Sequence, residues 1–253
     1  MRSKLPLILP RLGWFPANVH AFSSTRAGGT SKAPYQGNGV EDGLNLGSHV
    51  DDDPEAVAQN RRIFNNYLPS CATFLSQVHG TDVVDAGQST QNQIADGSFT
   101  TKSGVVCAVL TADCLPVLLS DTLGTVVAAV HAGWRGLAGG ILQAAVQKMR
   151  DAGAIEILAW MGPAIGPEQF EVGSEVLNAF SKLGASALQC FIPINESDKH
   201  LANIYLLAQH ALIDAGVFQI DGAMRCTVTE SDKFYSYRRD GITGRMASVI
   251  WID

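Results

Sequence analysis

Two histidines and one cysteine stand where apolar stretches of the sequence end. His79 lies in SQVHGTD, Cys114 lies in TADCLP, and His131 directly follows the apolar run VVAAV. A glycine or a proline lies within two residues of each of them. Ligands and catalytic groups of sheet proteins gather at such strand ends. The pattern therefore indicates one site that is assembled from three separate segments of the chain.

Two imidazoles and one thiolate form a recognised zinc ligand set. Three protein ligands leave the fourth tetrahedral position to water or substrate, which is typical of a catalytic zinc site. Zinc would lower the pKa of that water to about 7, so that hydroxide is available at neutral pH. We therefore predict that His79, Cys114 and His131 are both the metal ligands and the catalytic residues.

The same three residues allow two other interpretations. Cys114 would be a nucleophile that His131 activates, as in a cysteine hydrolase. Alternatively, all three would be ordinary residues at strand ends. The sequence has no CxxC or HxxxH motif to hold the ligands together, so spacing alone leaves these alternatives open.

Two arginines could bind an anionic substrate group. Arg135 lies in a GWRG turn just before a predicted helix, where a guanidinium and unpaired helix N–H groups would meet a phosphate. The alternative is that Arg135 caps local carbonyl groups. Arg26 stands beside the pair Gly28-Gly29 and has similar surroundings. Both arginines are therefore predicted substrate-binding residues.

Composition limits the partners of the chain. Of its 253 residues, 46% are hydrophobic and 17% are charged, so the chain can bury a large core. The net charge of -6 provides no basic surface for nucleic acid. No apolar run approaches the ~20 residues of a membrane-spanning helix. We therefore expect a small-molecule partner, with no nucleic acid and no membrane, and a monomer or a weak homodimer.

The cysteines and the N-terminus predict a cytoplasmic location. Five cysteines without paired spacing do not suggest a disulfide framework. The first apolar stretch, LPLILP, is short, is interrupted by prolines and has no small-residue cleavage site after it. We therefore reject a signal peptide.

The pattern of apolar runs predicts strands that alternate with helices. Short β-branched runs bounded by Gly, Asp or Pro indicate buried strands, and longer amphipathic segments indicate helices. The expected strands are residues 73–78, 82–85, 105–110, 116–119, 125–130, 157–160 and 247–252, and the expected helices are 54–67, 137–150 and 201–215. Segment 26–49 is rich in turn residues and is expected to be a functional loop. This alternation predicts one layered α/β or α+β domain, residues 1–253, with a mixed sheet.

Several long motifs, found in one order from residue 23 to residue 251, resemble the YfiH-type family. This family has been described both as multicopper polyphenol oxidases and as purine nucleoside phosphorylases. The matching stretches are SSTRAGGTS, GLNLGSHVDDD, SQVHGTDVV, ADGSFT, TADCLPVLLSD, VHAGWRGLAGGIL, MGPAIGPEQFEVG and FYSYRRDGITGRMASVIW. The resemblance covers nearly the whole chain.

The resemblance implies a fold, a metal and a set of reactions. The implied fold is a three-layer α/β/α domain with a mixed sheet, related to toxins that have a Cys–His hydrolase centre. The implied metal is zinc, held by His79, Cys114 and His131. The implied reactions are the phosphorolysis of adenosine, inosine, guanosine and methylthioadenosine, a transferase activity, and the hydrolytic deamination of adenosine.

Further residues can be assigned to these reactions by their chemistry. Zinc nucleobase deaminases use a glutamate to carry protons, and Asp113, next to Cys114, is the nearest acidic residue here. Phosphorolysis needs a bound phosphate, for which Arg135 is the first choice. Asn45 and Gln77 are expected to bind ribose hydroxyls or a base edge.

Other activities of the resembling family remain alternatives. Some relatives are associated with editing of peptidoglycan precursors, which would be amide hydrolysis at the same His/Cys/His site. A multicopper oxidase needs a histidine-rich cluster beyond its blue-copper ligands. Six scattered histidines cannot supply that cluster, so the copper polyphenol oxidase (laccase) alternative is disfavoured. A binding module without catalysis is the last alternative.

Overall fold

Strands and helices alternate along the chain. The structure is a computed structural model that describes residues 5–38, 42–194 and 197–253. The strands are β1 (Leu7–Ile8), β2 (Val19–Ser24), β3 (Ala27–Ser31), β4 (Val83–Asp85), β5 (Gly97–Thr100), β6 (Cys107–Thr111), β7 (Leu115–Asp121), β8 (Val127–Ala132), β9 (Ile157–Met161), β10 (Glu171–Val172), β11 (Phe191–Pro193), β12 (His200–Ala202), β13 (Gln219–Gly222) and β14 (Met246–Ile252). The helices are α1 (Pro54–Asn65), α2 (Trp134–Gly139), α3 (Ile141–Asp151), α4 (Ser174–Ser181), α5 (Ala185–Leu188), α6 (Ile204–Asp214) and α7 (Tyr237–Asp240).

The larger sheet is mixed, as predicted. Its six strands are ordered β13-β9-β7-β8-β5-β4, and the outer pairs β13/β9 and β4/β5 are parallel while the inner pairs are antiparallel. A four-stranded antiparallel sheet has the order β1-β2-β14-β6, and a small three-stranded sheet has the order β10-β12-β11. The predicted mixed α/β architecture is confirmed.

The strand layer consists of two sheets packed face to face. Successive side chains of a strand point to opposite faces, and β6 shows this alternation. Cys107 and Val109 pack against Leu118 of the six-stranded sheet, whereas Ala108 packs on the other side with Phe64 of α1. Helices α2, α3 and α6 cover the outer face of the six-stranded sheet. The predicted α/β/α arrangement of layers is therefore present, and two packed sheets form the β layer between the helices.

Helix α1 begins where the sequence predicts. The side chain of Asp53 accepts a hydrogen bond from the backbone N–H of Glu55 at 3.0 Å, and Pro54 occupies the first turn. An acidic N-cap followed by proline is a typical helix start, because proline has no N–H to leave unpaired. The helix ends at Asn65, two residues before the predicted end at Tyr67.

Three predicted elements differ in the structure. Residues 73–78 do not form a strand; one isolated bridge joins Ser76 to Ile94. The helix predicted at 137–150 is two helices, because Gly140 adopts φ +96° between them. The helix predicted at 201–215 begins at Ile204, because residues 200–202 pair in β12 and Asn203 caps the helix.

The predicted loop 26–49 contains a strand, β3, and its residues 39–41 lie outside the described residues. All five cysteines are free thiols, and Cys107 is completely buried. In the part of the chain that the structure describes, no helix is long and apolar enough to cross a membrane.

Candidate metal centre

Three segments bring His79, Cys114 and His131 together. His79 lies in the turn before β4, Cys114 directly precedes β7, and His131 lies near the end of β8. Strands β7 and β8 pair antiparallel with Leu115 opposite Ala132, so the start of β7 lies beside the end of β8. One ligand atom from each of the three residues lies within 4.8 Å of the other two. Among the described residues this is the one group of three or more such side chains.

The distances fit a tetrahedral metal ion. Sγ of Cys114 lies 3.7 Å from Nε2 of His79. Zinc bonds of about 2.3 Å to sulfur and about 2.0–2.1 Å to nitrogen separate two such ligands by about 3.6 Å. The two imidazole rings meet edge to face, with centroids 4.8 Å apart, so both can point a nitrogen at one ion. The donor set therefore fits zinc with one position left open.

A buried carboxylate, Asp96, holds both histidines. It accepts hydrogen bonds from the backbone N–H groups of Val78 (3.1 Å), His79 (2.9 Å) and Gly80 (2.7 Å), and a further bond of 2.8 Å from Nδ1 of His131. Asp96 has no exposed surface. These bonds stabilise the turn in which His79 adopts φ +61°, a conformation that side chains other than glycine seldom take.

Asp96 also sets the chemistry of His131. Because Nδ1 donates to the carboxylate, Nε2 is the nitrogen left for the metal, and the carboxylate makes it a better ligand. Burial would raise the pKa of Asp96, but the hydrogen bonds from His131 and from the turn lower it. The role of Asp96 could not be predicted from the sequence, because ADG at the start of a strand has the composition of an ordinary turn.

Without a metal, Cys114 and His131 form a charged pair. Burial alone would raise the pKa of the Cys114 thiol, but the neighbouring imidazoles lower it to about 6. Burial alone would lower the pKa of His131, but the thiolate and Asp96 raise it to about 9. Near neutral pH the sulfur is therefore a thiolate, which is the form that binds a metal or attacks a substrate.

Gly133 leaves the space that this centre occupies. A methyl group at this position would lie 2.5 Å from Cδ2 of His79 and 3.2 Å from Sγ of Cys114. The backbone of Gly133 has φ -66° and ψ 156°, which any residue can adopt. Glycine is therefore required here for close packing and not for its backbone freedom.

A cavity of about 490 Å³ opens beside the centre. Its walls combine the three metal-ligand candidates with arginine, aromatic and polar side chains. The lining residues are Ser48, His49, Arg61, Phe74, Leu75, Ser76, Gln77, His79, Asn92, Leu110, Thr111, Ala112, Cys114, His131, Tyr237 and Arg245. Such a volume, with a few polar groups and a perturbed thiol, is typical of a small-molecule site.

Two further cavities adjoin the first. One of about 780 Å³ shares His49, Tyr237 and Arg245 with it. The other, about 130 Å³, shares Cys114 and has apolar walls that include Phe170. His49 lines both of the larger cavities.

Gln77 lies in the main cavity, but its amide binds the protein. Nε2 donates to the carbonyl oxygen of Leu110 at 2.8 Å, and Oε1 accepts from the N–H of Leu110 at 2.8 Å. The side chain thus forms the two hydrogen bonds with Leu110 of β6 that a neighbouring strand would form. This pairing makes Gln77 part of the cavity wall, and it occupies the groups that the predicted ribose contact would use.

Asn45 is fully buried and does not reach the main cavity. Its Nδ2 donates to the carbonyl of Gly47 and to Asp52, and its Oδ1 accepts from the N–H groups of Gly47 and Arg245. All hydrogen-bonding positions of the amide are occupied. Asn45 therefore positions a loop and the start of β14, and the predicted contact with ribose is not supported.

Asp113 is also engaged by the protein. Oδ1 accepts from the hydroxyl of Thr227 at 2.5 Å, and Oδ2 accepts from the backbone N–H of Arg238 at 2.7 Å. The residue is buried, with φ +89°, and faces the small apolar cavity rather than the 490 Å³ one. The carboxylate therefore stabilises the turn before Cys114. This placement does not favour the predicted role of Asp113 in proton transfer.

The two predicted anion-binding arginines lie away from the centre. Arg26 donates to the carbonyls of Gln36 and Ser231, and its guanidinium stacks over Tyr235 at 4.9 Å. Arg135 is exposed, stacks over Trp134 at 4.2 Å and does not line the 490 Å³ cavity. Arg61 and Arg245 do line it, and neither was predicted, because they come from segments that are distant in the sequence.

Two sequence relatives carry the name purine nucleoside phosphorylase YfiH. Purine nucleoside phosphorylase YfiH of Shigella flexneri is 51% identical over 97% of this chain and 98% of its own length. Purine nucleoside phosphorylase YfiH of Escherichia coli (strain K12) is 51% identical over 94% and 95% of the two chains.

A solved structure agrees with this similarity. The crystal structure of a Neisseria meningitidis protein, 45% identical, superposes with a TM-score of 0.87 and covers 98% of this chain and 99% of that one. The family model described as multi-copper polyphenol oxidoreductase laccase matches residues 20–253. The chain therefore belongs to this family, and the resemblance to its YfiH-type members is confirmed.

Proposed function

We propose that this chain is a zinc-dependent purine nucleoside phosphorylase that acts at His79, Cys114 and His131. The observation that carries the proposal is the ligand cluster, whose atoms lie within 4.8 Å of one another at the wall of a 490 Å³ cavity. It is supported by two relatives that bear the name purine nucleoside phosphorylase and are 51% identical. The proposed substrates are adenosine, inosine, guanosine and methylthioadenosine.

Phosphorolysis exchanges one bond at the sugar for another. An oxygen of phosphate forms a bond to C1′ of the ribose while the bond from C1′ to the purine nitrogen breaks. The base leaves with the bonding electron pair and takes up one proton. The protein must therefore hold phosphate and nucleoside in line and keep water away from C1′.

The proposed second reaction, adenosine deamination, replaces the amino group on C6 by oxygen from water and releases ammonia. A zinc ion at the centre would supply Lewis acidity that favours hydroxide near neutral pH. His131, oriented by Asp96, and Cys114 would hold that ion.

The cavity walls provide surfaces for a purine nucleoside. Phe74 is buried with one face against Arg61, and Tyr237 is exposed at the junction of the three cavities. The exposed ring of Tyr237 can stack on a base or pack against ribose, whereas the buried ring of Phe74 supports Arg61. Gln77 stiffens the wall between these rings and the centre through its paired bonds to Leu110.

The proposal is tested with purified protein, adenosine and inosine, each with and without phosphate. We expect that inosine is broken down only with phosphate, which yields ribose 1-phosphate, and that adenosine also releases ammonia without phosphate. Cys114→Ala should abolish both reactions, and the exposed Cys71→Ala is the matched control that should retain them. Chromatography of bases and nucleosides measures both reactions.

Two results would overturn the proposal. Inosine cleavage at equal rates with and without phosphate would show hydrolysis instead of phosphorolysis. Nucleosides left intact, together with cleavage of a muramyl peptide, would establish the peptidoglycan-editing alternative at the same centre.

A further inference from the structure

Two arginines without carboxylate partners face the cavity that holds the metal-ligand cluster. Arg61 comes from α1, and Arg245 directly precedes β14. Both are half-buried. Among residues 5–38, 42–194 and 197–253, neither guanidinium forms an ion pair, whereas Arg225 pairs with Glu230 at 2.9 Å and Arg239 pairs with Asp240 at 2.7 Å.

The two side chains lie against the same short segment, residues 45–48. Nε of Arg61 donates to the carbonyl of Leu46 at 3.0 Å, and its Nη2 donates to Oγ of Ser48 at 3.3 Å. The N–H of Arg245 donates to Oδ1 of Asn45, and its carbonyl oxygen accepts from the N–H of Leu46. Its Cγ would lie 2.7 Å from a methyl group at Gly47. Gly47 therefore lets the Arg245 side chain pass over the segment.

Both guanidinium groups are fixed but keep donors free. The plane of Arg61 is held over Phe74, with Cζ 4.6 Å from the ring centroid. Nη1 of Arg245 donates to the carbonyls of Thr243 and Gly244. Within the described part of the chain, Nη1 of Arg61 and the Nε and Nη2 of Arg245 have no protein acceptor.

Both positive charges act on a third side chain in the same cavity wall. Burial, then the positive charges of Arg245 and Arg61, lower the pKa of His49, which lines the same cavity. Burial also lowers the pKa of each arginine, but guanidinium groups remain charged at neutral pH. Half-buried positive charges lose hydration, and the hydrogen bonds and negative charge of a bound anion would compensate for that loss.

We infer that Arg61 and Arg245 form the binding site for the phosphate co-substrate, in the same cavity as the His79–Cys114–His131 centre. The inference rests on the proposed function, because it is phosphorolysis that requires phosphate at this place. Guanidinium groups suit the oxygens of phosphate, since their planar donors form paired charge-assisted hydrogen bonds. This assignment replaces Arg135, whose guanidinium stacks on Trp134 outside the cavity.

The experiment measures phosphate binding directly and also through turnover. Equilibrium dialysis with radiolabelled inorganic phosphate, without nucleoside, is applied to the intact protein and to Arg61→Gln and Arg245→Gln. The matched control is Arg62→Gln, the exposed neighbour of Arg61 on α1. Arg135→Gln tests the competing assignment. Metal content and thermal unfolding of each variant establish that it is folded.

We expect Arg61→Gln and Arg245→Gln each to weaken phosphate binding by about tenfold to a hundredfold, the usual effect of a lost charge-assisted contact. The phosphate KM of inosine breakdown should rise by the same factor. Arg62→Gln should match the unchanged protein in every measurement.

The outcomes separate the inference from the proposed function. If phosphate binds through Arg61 and Arg245 but inosine is not broken down, the anion site is retained and the proposed phosphorylase activity is overturned. Phosphorolysis with an unchanged phosphate KM in both variants, a loss confined to Arg135→Gln, or no phosphate binding by the unchanged protein would overturn the inference. A loss of folding in Arg61→Gln would leave the decision to Arg245→Gln, and to Arg61→Lys, which retains the charge.

Discussion

The carboxylate of Asp96 accepts a hydrogen bond from Nδ1 of His131 at 2.8 Å, and both side chains are almost completely buried. This contact connects a turn that carries one metal-ligand candidate to a strand that carries another, since Asp96 also accepts the N–H of His79. Asp96 therefore acts on the centre by positioning its ligands, without being one of them.

The first prediction concerns this contact. Asp96→Asn removes the negative charge next to His131 and weakens the hydrogen bonds that Asp96 accepts from the turn at His79. Substitutions of such outer partners cost about 10–100-fold in metal affinity. Competition with a zinc chelator should show a loss of this size. The exposed neighbour Asp82→Asn is the control and should bind zinc normally; unaltered affinity in Asp96→Asn would contradict the positioning role.

The sequence predicted the centre better than its surroundings. His79, Cys114 and His131 could be identified because histidine and cysteine are uncommon and each ended an apolar run. Asp96 and Arg245 could not, because their roles arise from contacts between segments distant in the sequence. A carboxylate at a turn and an arginine before a strand have the same local pattern whether or not they face a site.

Errors in the predicted elements have similar causes. Residues 73–78 are rich in apolar and β-favouring side chains, but they lack strand partners apart from the bridge at Ser76. The predicted roles of Asn45 in substrate binding and of Asp113 in proton transfer rested on side-chain chemistry alone. Burial and internal hydrogen bonds decided their roles, and neither can be predicted from spacing.

The second prediction concerns space at the centre. Gly133→Ala would place a methyl group 2.5 Å from His79, so that the ring must move out of the ligand cluster. Because its backbone conformation suits any residue, the variant should fold with an unfolding temperature close to that of the unchanged protein when both are free of metal. Metal content after purification should fall strongly.

The control for this substitution is Gly80→Ala, in the turn beside His79. A methyl group there would meet Asp96 at 3.4 Å, an ordinary van der Waals contact. Gly80→Ala should therefore retain its metal. If Gly133→Ala binds metal as well as Gly80→Ala does, His79 is not a ligand in the arrangement described.

The third prediction concerns the metal itself. Three ligands around one point predict about one zinc ion per chain. Elemental analysis of protein purified without added metal measures the stoichiometry. Replacement of His131 by alanine should remove the ion, whereas replacement of the half-buried His20, which pairs with Asp253, should not. About four copper ions per chain would instead support the oxidase named in the family description.

The last prediction distinguishes a metal ligand from a nucleophile at Cys114. With a pKa lowered to about 6, the sulfur of the metal-free protein is a thiolate above that pH, and protonation removes its reactivity below it. Alkylation of metal-free protein by iodoacetamide should therefore remain fast from pH 8 down to about 6 and fall tenfold for each further pH unit. A Cys71→Ser background removes labelling at the exposed thiol.

Zinc should suppress the reaction if Cys114 is a ligand, because the metal occupies the sulfur lone pair. Rapid alkylation of zinc-replete protein, together with a covalent substrate adduct detected by mass after quenching, would instead establish the nucleophile. We expect protection by zinc, because His79 lies 3.7 Å from the sulfur and has no part in a two-residue dyad with His131.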